Sequence, residues 1–173
     1  LTAAQIALME TTDIAALTAA QAEKLTTQAV AALTTDQIKA LSSAALNALT
    51  SDQIKAIEAE DVTAMTTEQV KNLSTTQVTR LTTEQMEALT TTQVQALTTL
   101  QVSVLTSLQI NKLASDDLQA LLTSQIRALT SEQINNISTE QISNLSTSQV
   151  AALSTAQTSA LTSSQIENMT SDQ

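Results

Sequence analysis

The chain has 173 residues with 17 acidic and 7 basic side chains, for a formal net charge of −10. It has no Gly, Pro, Cys, His, Phe, Tyr or Trp. This excludes zinc sites built on Cys or His, thiol and imidazole catalysis, and aromatic platforms for bases or sugars. The acidic balance makes nucleic acid and anionic membranes poor partners, and no apolar run approaches the roughly 18 residues of a membrane span.

An eight-residue repeat runs through the chain without insertion or deletion. Position six is large and apolar except at Ala22 and Thr158, and position five is usually Gln. Positions two and three are mostly Thr or Ser, and position eight is mostly Ala or Asn. Position one is occupied in chain order by Leu1, Met9, Leu17, Leu25, Leu33, Leu41, Leu49, Ile57, Met65, Leu73, Leu81, Leu89, Leu97, Leu105, Leu113, Leu121, Leu129, Ile137, Leu145, Leu153, Leu161 and Met169.

The period of eight disfavours one continuous helix. A helix advances about 100° per residue, so eight residues overshoot two turns by about 80° and the apolar stripe would circle the helix. A straight strand sends positions one and six to opposite faces, so a β-solenoid must turn a corner between them. Such corners usually use Gly, Asn or Pro, and Gly and Pro are absent. The β-solenoid stays as the alternative to short helices.

Each octad matches the pattern that starts an α-helix. With Thr82 as N-cap, Gln85 falls at the third helical position and completes a capping box. Leu81 and Met86 then take the two positions of a hydrophobic staple. The same four roles fall to Leu129, Thr130, Gln133 and Ile134. The pattern predicts one very short helix in each octad.

The distribution of charge supports this helix phase. All acids except Glu23, Glu87 and Glu167 lie at positions two to five, where the positive end of a helix dipole stabilises them. The bases lie at positions seven and eight, near the negative end. They are Lys24, Lys39, Lys55, Lys71, Arg80, Lys112 and Arg127.

Helices this short must stack to persist, because helix nucleation is costly. We therefore predict an all-α fold, a narrow α-solenoid whose core is built from positions one and six. Two and three octads per superhelical turn both remain open. Residues 1–173 are expected to form a single uninterrupted array. Because the chain starts on Leu rather than Met, shows no polar capping repeat and stops within an octad, we expect an excerpt of a longer array.

No residue is predicted to be catalytic, cofactor-binding or metal-ligating, and an enzyme is not expected because no residue has a distinctive environment. The acid pairs Glu60–Asp61 and Asp116–Asp117 lack the further oxygen ligands and Gly turn of a calcium loop, and are interpreted as solvated helix starts. The Gln column is assigned to capping and stacking rather than to a ligand. The Thr columns leave open a lattice of hydroxyl groups.

Segments such as Leu81-Thr-Thr-Glu-Gln-Met-Glu-Ala-Leu89 resemble octad tracts in very large, repetitive, adhesin-like bacterial surface or secreted proteins. The resemblance covers essentially the whole chain and implies an extracellular or cell-surface fibre, stalk or sheath. The same octad segments also resemble the first residues of transcription-activator-like effector repeats. That family needs repeats of roughly 34 residues and a basic surface. This chain has neither, so sequence-specific DNA binding is rejected.

The function expected is that of a structural repeat protein in a bacterial extracellular filament, located outside the cell or at its surface, with further copies of itself as partner. The alternative is a binding module whose Thr and Ser lattice grips ice, mineral or polysaccharide. An intracellular scaffold with a peptide groove is a third interpretation. Association is expected end to end and weak from side to side, because the lateral surface is acidic.

Overall fold

The structure, a computed structural model, describes all 173 residues and contains 21 short helices, one in each full octad, and no strand. The predicted all-α solenoid of short helices is therefore confirmed, and the β-solenoid alternative is wrong. The chain forms two compact units, residues Leu1–Ala88 and Leu89–Gln173. The octad register is unbroken at their junction in the sequence. A single array across 1–173 stays a prediction.

The first unit contains α1 to α11: Ala3–Ala7, Thr11–Ala15, Ala19–Glu23, Thr27–Ala31, Thr35–Ala40, Ser43–Asn47, Ser51–Ala56, Ala59–Val62, Thr67–Asn72, Thr75–Val78 and Thr83–Glu87. The second unit contains α12 to α21: Thr91–Ala96, Thr99–Val104, Ser107–Lys112, Ser115–Ala120, Thr123–Ala128, Ser131–Asn136, Thr139–Ser143, Thr147–Ala151, Thr155–Ser159 and Ser163–Glu167. Each helix starts at position three, as the capping pattern predicts.

The corners between helices need no glycine. Helix α12 ends at Ala96, and its C-cap Leu97 has φ −57° and ψ 133°. Thr98 follows with φ −70° and ψ 157° as the N-cap of α13. Two extended residues therefore redirect the chain from one helix into the next. No residue has a positive φ, so no position requires the conformational freedom of glycine. This explains how an array of corners forms without Gly or Pro.

Three octads, or 24 residues, make one superhelical turn in each unit. In the first unit α1 packs on α4, α2 on α5 and α3 on α6. In the second unit α12 packs on α15, α13 on α16 and α14 on α17. This stacking selects three octads per turn between the two numbers that the sequence left open.

Positions one and six form the core of each unit, as predicted. Leu89 and Val94 are buried, and Val94 is 0% exposed. Burying such a side chain stabilises the fold by about 1.5–3 kcal/mol, which the helices need because they have only four to six residues. The first and last turns differ, since Leu1 is 56% exposed and Ile166 is 55% exposed.

Candidate functional site

A column of buried glutamines at position five is the most distinctive polar feature of the chain. Burying an amide is costly unless its donors and acceptor are satisfied. Every buried side-chain nitrogen and oxygen atom in the structure has a hydrogen-bond partner. The buried glutamines are Gln37, Gln53, Gln69, Gln77 and Gln85 in the first unit, and Gln93, Gln101, Gln109, Gln125, Gln133, Gln141, Gln149, Gln157 and Gln165 in the second.

Gln85 shows how one such side chain is satisfied. Its Oε1 accepts the Thr82 backbone N–H at 2.9 Å, and its own backbone N–H donates to Thr82 Oγ1 at 3.2 Å, which completes the predicted capping box. Its Nε2 donates to the carbonyl oxygens of Ile54 at 2.8 Å and Ile57 at 2.7 Å. The acceptor half of the amide thus caps its own helix, and the donor half binds the preceding turn.

The two carbonyls lie where short helices leave backbone groups unpaired. Ile54 is near the end of α7 and Ile57 is the extended corner residue that follows it. The same pair of bonds, to the carbonyls 31 and 28 residues earlier, recurs at distances of 2.6–3.2 Å. Its donors are Gln37, Gln53, Gln69 and Gln77, and then Gln125, Gln133, Gln141, Gln149, Gln157, Gln165 and Gln173.

Two octads place a buried carboxyl group where the column has glutamine. Burial, followed by the charges of Glu58 and Glu60, raises the pKa of Asp61 above its usual 3.8. Burial and the neighbouring Asp116 likewise raise the pKa of Asp117. The interpretation of each acid pair as a solvated helix start is therefore wrong for its second member, since Glu60 and Asp116 are exposed while Asp61 and Asp117 are buried. An ionised carboxyl group has no N–H to donate to the carbonyl oxygens of the preceding turn.

A second inter-turn contact, which the sequence analysis did not predict, comes from amides at position seven in the second unit. Asn111 Nδ2 donates to the Asn136 carbonyl at 2.7 Å, and its Oδ1 accepts the Ser138 backbone N–H at 3.0 Å. Gln119 and Asn135 donate in the same way to carbonyls 25 residues later, at 3.0 Å each. The only sequence signal for these bonds is Asn or Gln at position seven.

No group of three or more acidic side chains is placed to hold a metal ion. No helix is long and apolar enough to cross a membrane. The polar contacts described above are hydrogen bonds between successive turns. The arrangement joins helices of successive turns through the position-five glutamines, and the octads with Asp or Ala at position five lack this amide donor.

Comparison with known proteins identifies the repeat. The ALTTAQ repeat family matches residues 6–42, 30–56, 54–91, 110–147 and 143–171, which together cover most of the chain. The six letters of that name follow positions eight and one to five, as in Ala88-Leu-Thr-Thr-Thr-Gln93. No curated protein matches the chain. Because the matches extend over both units, the chain belongs to the ALTTAQ repeat family.

Proposed function

We propose that this repeat protein has a structural rather than a catalytic role, as the stalk, wall or sheath of a bacterial extracellular filament. The observation that carries the proposal is the repeated pair of bonds from position-five glutamines to the turn before them, as at Gln85 and Gln133. Because every turn offers the next one the same acceptors, the array can be extended without a new kind of contact. Such extension suits a fibre.

The end turns support extension by further repeats. Near the last turn, Val150, Leu161, Ile166 and Met169 line an open cleft of about 580 Å³. At the first turn, Gln5 and Gln21 are exposed, and their Oε1 atoms accept the N-cap N–H groups at 2.8 and 2.9 Å. The last turn thus presents uncovered apolar surface, and the first turn presents amide donors together with the exposed Leu1. Such head-to-tail surfaces form open filaments rather than closed rings when the rotation does not close.

Light scattering and negative-stain microscopy on the purified chain test this proposal. We expect rods longer than one chain, whose length increases with protein concentration. Ile166→Asp places a charge on the uncovered end and should shorten the rods, whereas Ser164→Asp, on the exposed side of the same helix, should not. A monodisperse monomer at all concentrations would show that end-to-end growth does not occur. Native filaments in which one polypeptide spans many more octads would show that the filament lengthens by covalent repeats and not by stacking of separate chains.

A binding module is the second candidate, and a row of hydroxyl groups favours it. Thr99, Thr123 and Thr147 occupy position three of α13, α16 and α19, which stack on one face, and all three are exposed. Thr98 and Ser146 at position two cap α13 and α19, and α16 starts after Leu122 without a side-chain cap, so none of the three position-three hydroxyls caps a helix. Measuring ice growth and polysaccharide retention with the wild type and with the Thr99→Ala/Thr123→Ala/Thr147→Ala variant tests it. Equal results for the two proteins would exclude this row as a binding surface.

A further inference from the structure

One side of the first unit carries all of the net negative charge of that unit. Helices α2, α5, α8 and α11 stack along this side, and their octads, residues 9–16, 33–40, 57–64 and 81–88, are here called the acidic row. The acidic row contains eight acids and one base, a net charge of −7. The octads of α1, α4, α7 and α10 contain one acid and two bases, and those of α3, α6 and α9 contain two of each. The three-octad turn therefore gathers on one side acids that are far apart in the sequence.

The helix dipole does not explain this distribution. It favours acids at the start of every helix alike, whereas only the acidic row has acids at position two, Glu10 and Glu58. Neither side chain forms the cap hydrogen bond that Thr or Ser makes at this position. The same two octads have Asp13 and Asp61 in place of the glutamine at position five. Both octads thus lack the cap hydroxyl and the position-five amide, and carry negative charge instead.

Asp61 places a recessed carboxyl group without a partner in the middle of the acidic row. The residue is only 8% exposed, and its side chain makes no hydrogen bond or ion pair. Every fully enclosed polar side-chain atom in the structure has a hydrogen-bond partner, so the carboxyl oxygens of Asp61 must reach the surface. Burial and the charges of the exposed Glu58 and Glu60 raise its pKa. A cation beside these three carboxyl groups would relieve the repulsion that the fold leaves unbalanced.

We propose that the acidic row binds an extended segment of another protein that is rich in Lys and Arg. Opposite charge attracts such a segment to this side of the unit, and the other two sides, which are nearly neutral, offer no comparable attraction. The ammonium and guanidinium groups of the segment pair with Asp61 and with the exposed acids along the row. The surface lies on the side of the array, so it is separate from the end-to-end contacts proposed above.

The length of the acidic row favours this partner over a small cation. Packed helices lie about 8–10 Å apart, so four stacked helices extend over about 24–30 Å. An extended chain covers that length with about seven to nine residues. A metal ion would reach one octad only, and no group of three or more acids is placed to hold one.

The composition of the row decides between an extended segment and a folded partner. No exposed large apolar side chain lies in the acidic row, so it lacks the apolar anchor on which interfaces between folded proteins depend. A second copy of this chain does not fit either, because its seven bases are isolated, at least nine residues apart in the sequence. Recognition by charge alone suits a flexible basic segment, and salt should weaken it.

Fluorescence anisotropy of a labelled lysine decapeptide, titrated with the full chain, tests the proposal. We expect binding at low salt and its loss at about 1 M NaCl, where charges are screened beyond about 3 Å. Glu58→Thr/Asp61→Gln restores the usual residues at positions two and five of that octad. It should raise the dissociation constant about fivefold or more and also raise the urea midpoint, because a cap and an inter-turn amide are gained. Weaker binding by a more stable protein cannot come from a folding defect.

A matched variant separates the acidic row from the net charge of the chain. Glu23→Gln/Glu68→Gln removes the same charge from exposed positions in the stack of α3, α6 and α9, and should change the dissociation constant by less than about twofold. Equal weakening by the two double variants, or no binding of the decapeptide at low salt, overturns the proposal. Spermine or Ca²⁺ binding as tightly as the decapeptide would overturn the choice of an extended segment. The readout is peptide binding, so it does not depend on whether the chain forms rods.

Discussion

Replacing Gln85 with Glu changes one amide nitrogen to oxygen at a site where that atom faces two carbonyl oxygens, 2.8 Å from Ile54 and 2.7 Å from Ile57. The shape of the side chain is kept, and Oε1 can still accept the Thr82 N–H. The substitution therefore isolates the two bonds that join α11 to the preceding turn. Because Gln85 is only 1% exposed, water cannot replace them.

The cost follows from what each variant leaves unpaired. Gln85→Ala removes two donated bonds and one accepted bond, each worth about 1 kcal/mol net, so we expect a loss of about 3 kcal/mol. Gln85→Glu also buries a charge against two carbonyl dipoles and should cost about 5 kcal/mol at neutral pH. The loss of stability is confined to the neighbouring turns and does not extend over the whole chain, because the stability of a solenoid is summed over local interfaces.

Hydrogen exchange followed by mass spectrometry, together with urea unfolding, measures this effect. In both variants the amides of residues 51–57 and 82–87 should exchange faster than in the wild type, and more so in Gln85→Glu. The glutamate is stabilised in its protonated form, so its folded-state pKa is raised and stability returns as the pH falls through that pKa. Gln28→Glu, at an exposed position four in the same unit, is the control and should change nothing. A stable Gln85→Glu variant with no pH dependence would refute the reasoning.

Four further outcomes follow from the structure. Asp61→Asn should raise the urea midpoint at neutral pH. Burial and the charges of Glu58 and Glu60 raise the pKa of Asp61. The stability that this carboxyl group contributes in the wild type is therefore fully present below about pH 3.8 and is lost as the pH rises through its folded-state pKa. Equal urea midpoints for the variant and the wild type at pH 7 would contradict this. Val94→Asp should cost about 3–5 kcal/mol by burying an unpaired charge, and unchanged proteolysis around that octad would argue against the core assignment. Thr92→Asp should leave thermal stability unchanged, because the residue is exposed at a helix start. Far-UV circular dichroism should show a helical spectrum, and a single β-sheet minimum would oppose the fold.

The local structure could be predicted because the interactions that set it span few residues. The capping box of Thr130 and Gln133 joins residues three apart, and its bonds occur at 2.6 and 3.1 Å as the pattern requires. The distribution of charge, with acids near the start of each octad and bases near its end, independently indicated where each helix begins and ends. The core positions followed from the helix phase, since the staple pairs position one with position six.

The contacts between turns could not be predicted, because they depend on how many octads complete a turn. Gln133 meets the carbonyls of Val102 and Leu105 only when α14 follows α13 around a three-sided turn and α17 stacks on α14. With two octads per turn, the same amide would face other residues. The hydrogen bonds of Asn111 to the backbone of Asn136 and Ser138, and the burial of Asp61, depend on the same geometry. The sequence by itself determined each helix, its caps and its buried side; only the stacking of turns decided which distant backbone groups those side chains bind, because that partnership is a property of the superhelix and not of the octad.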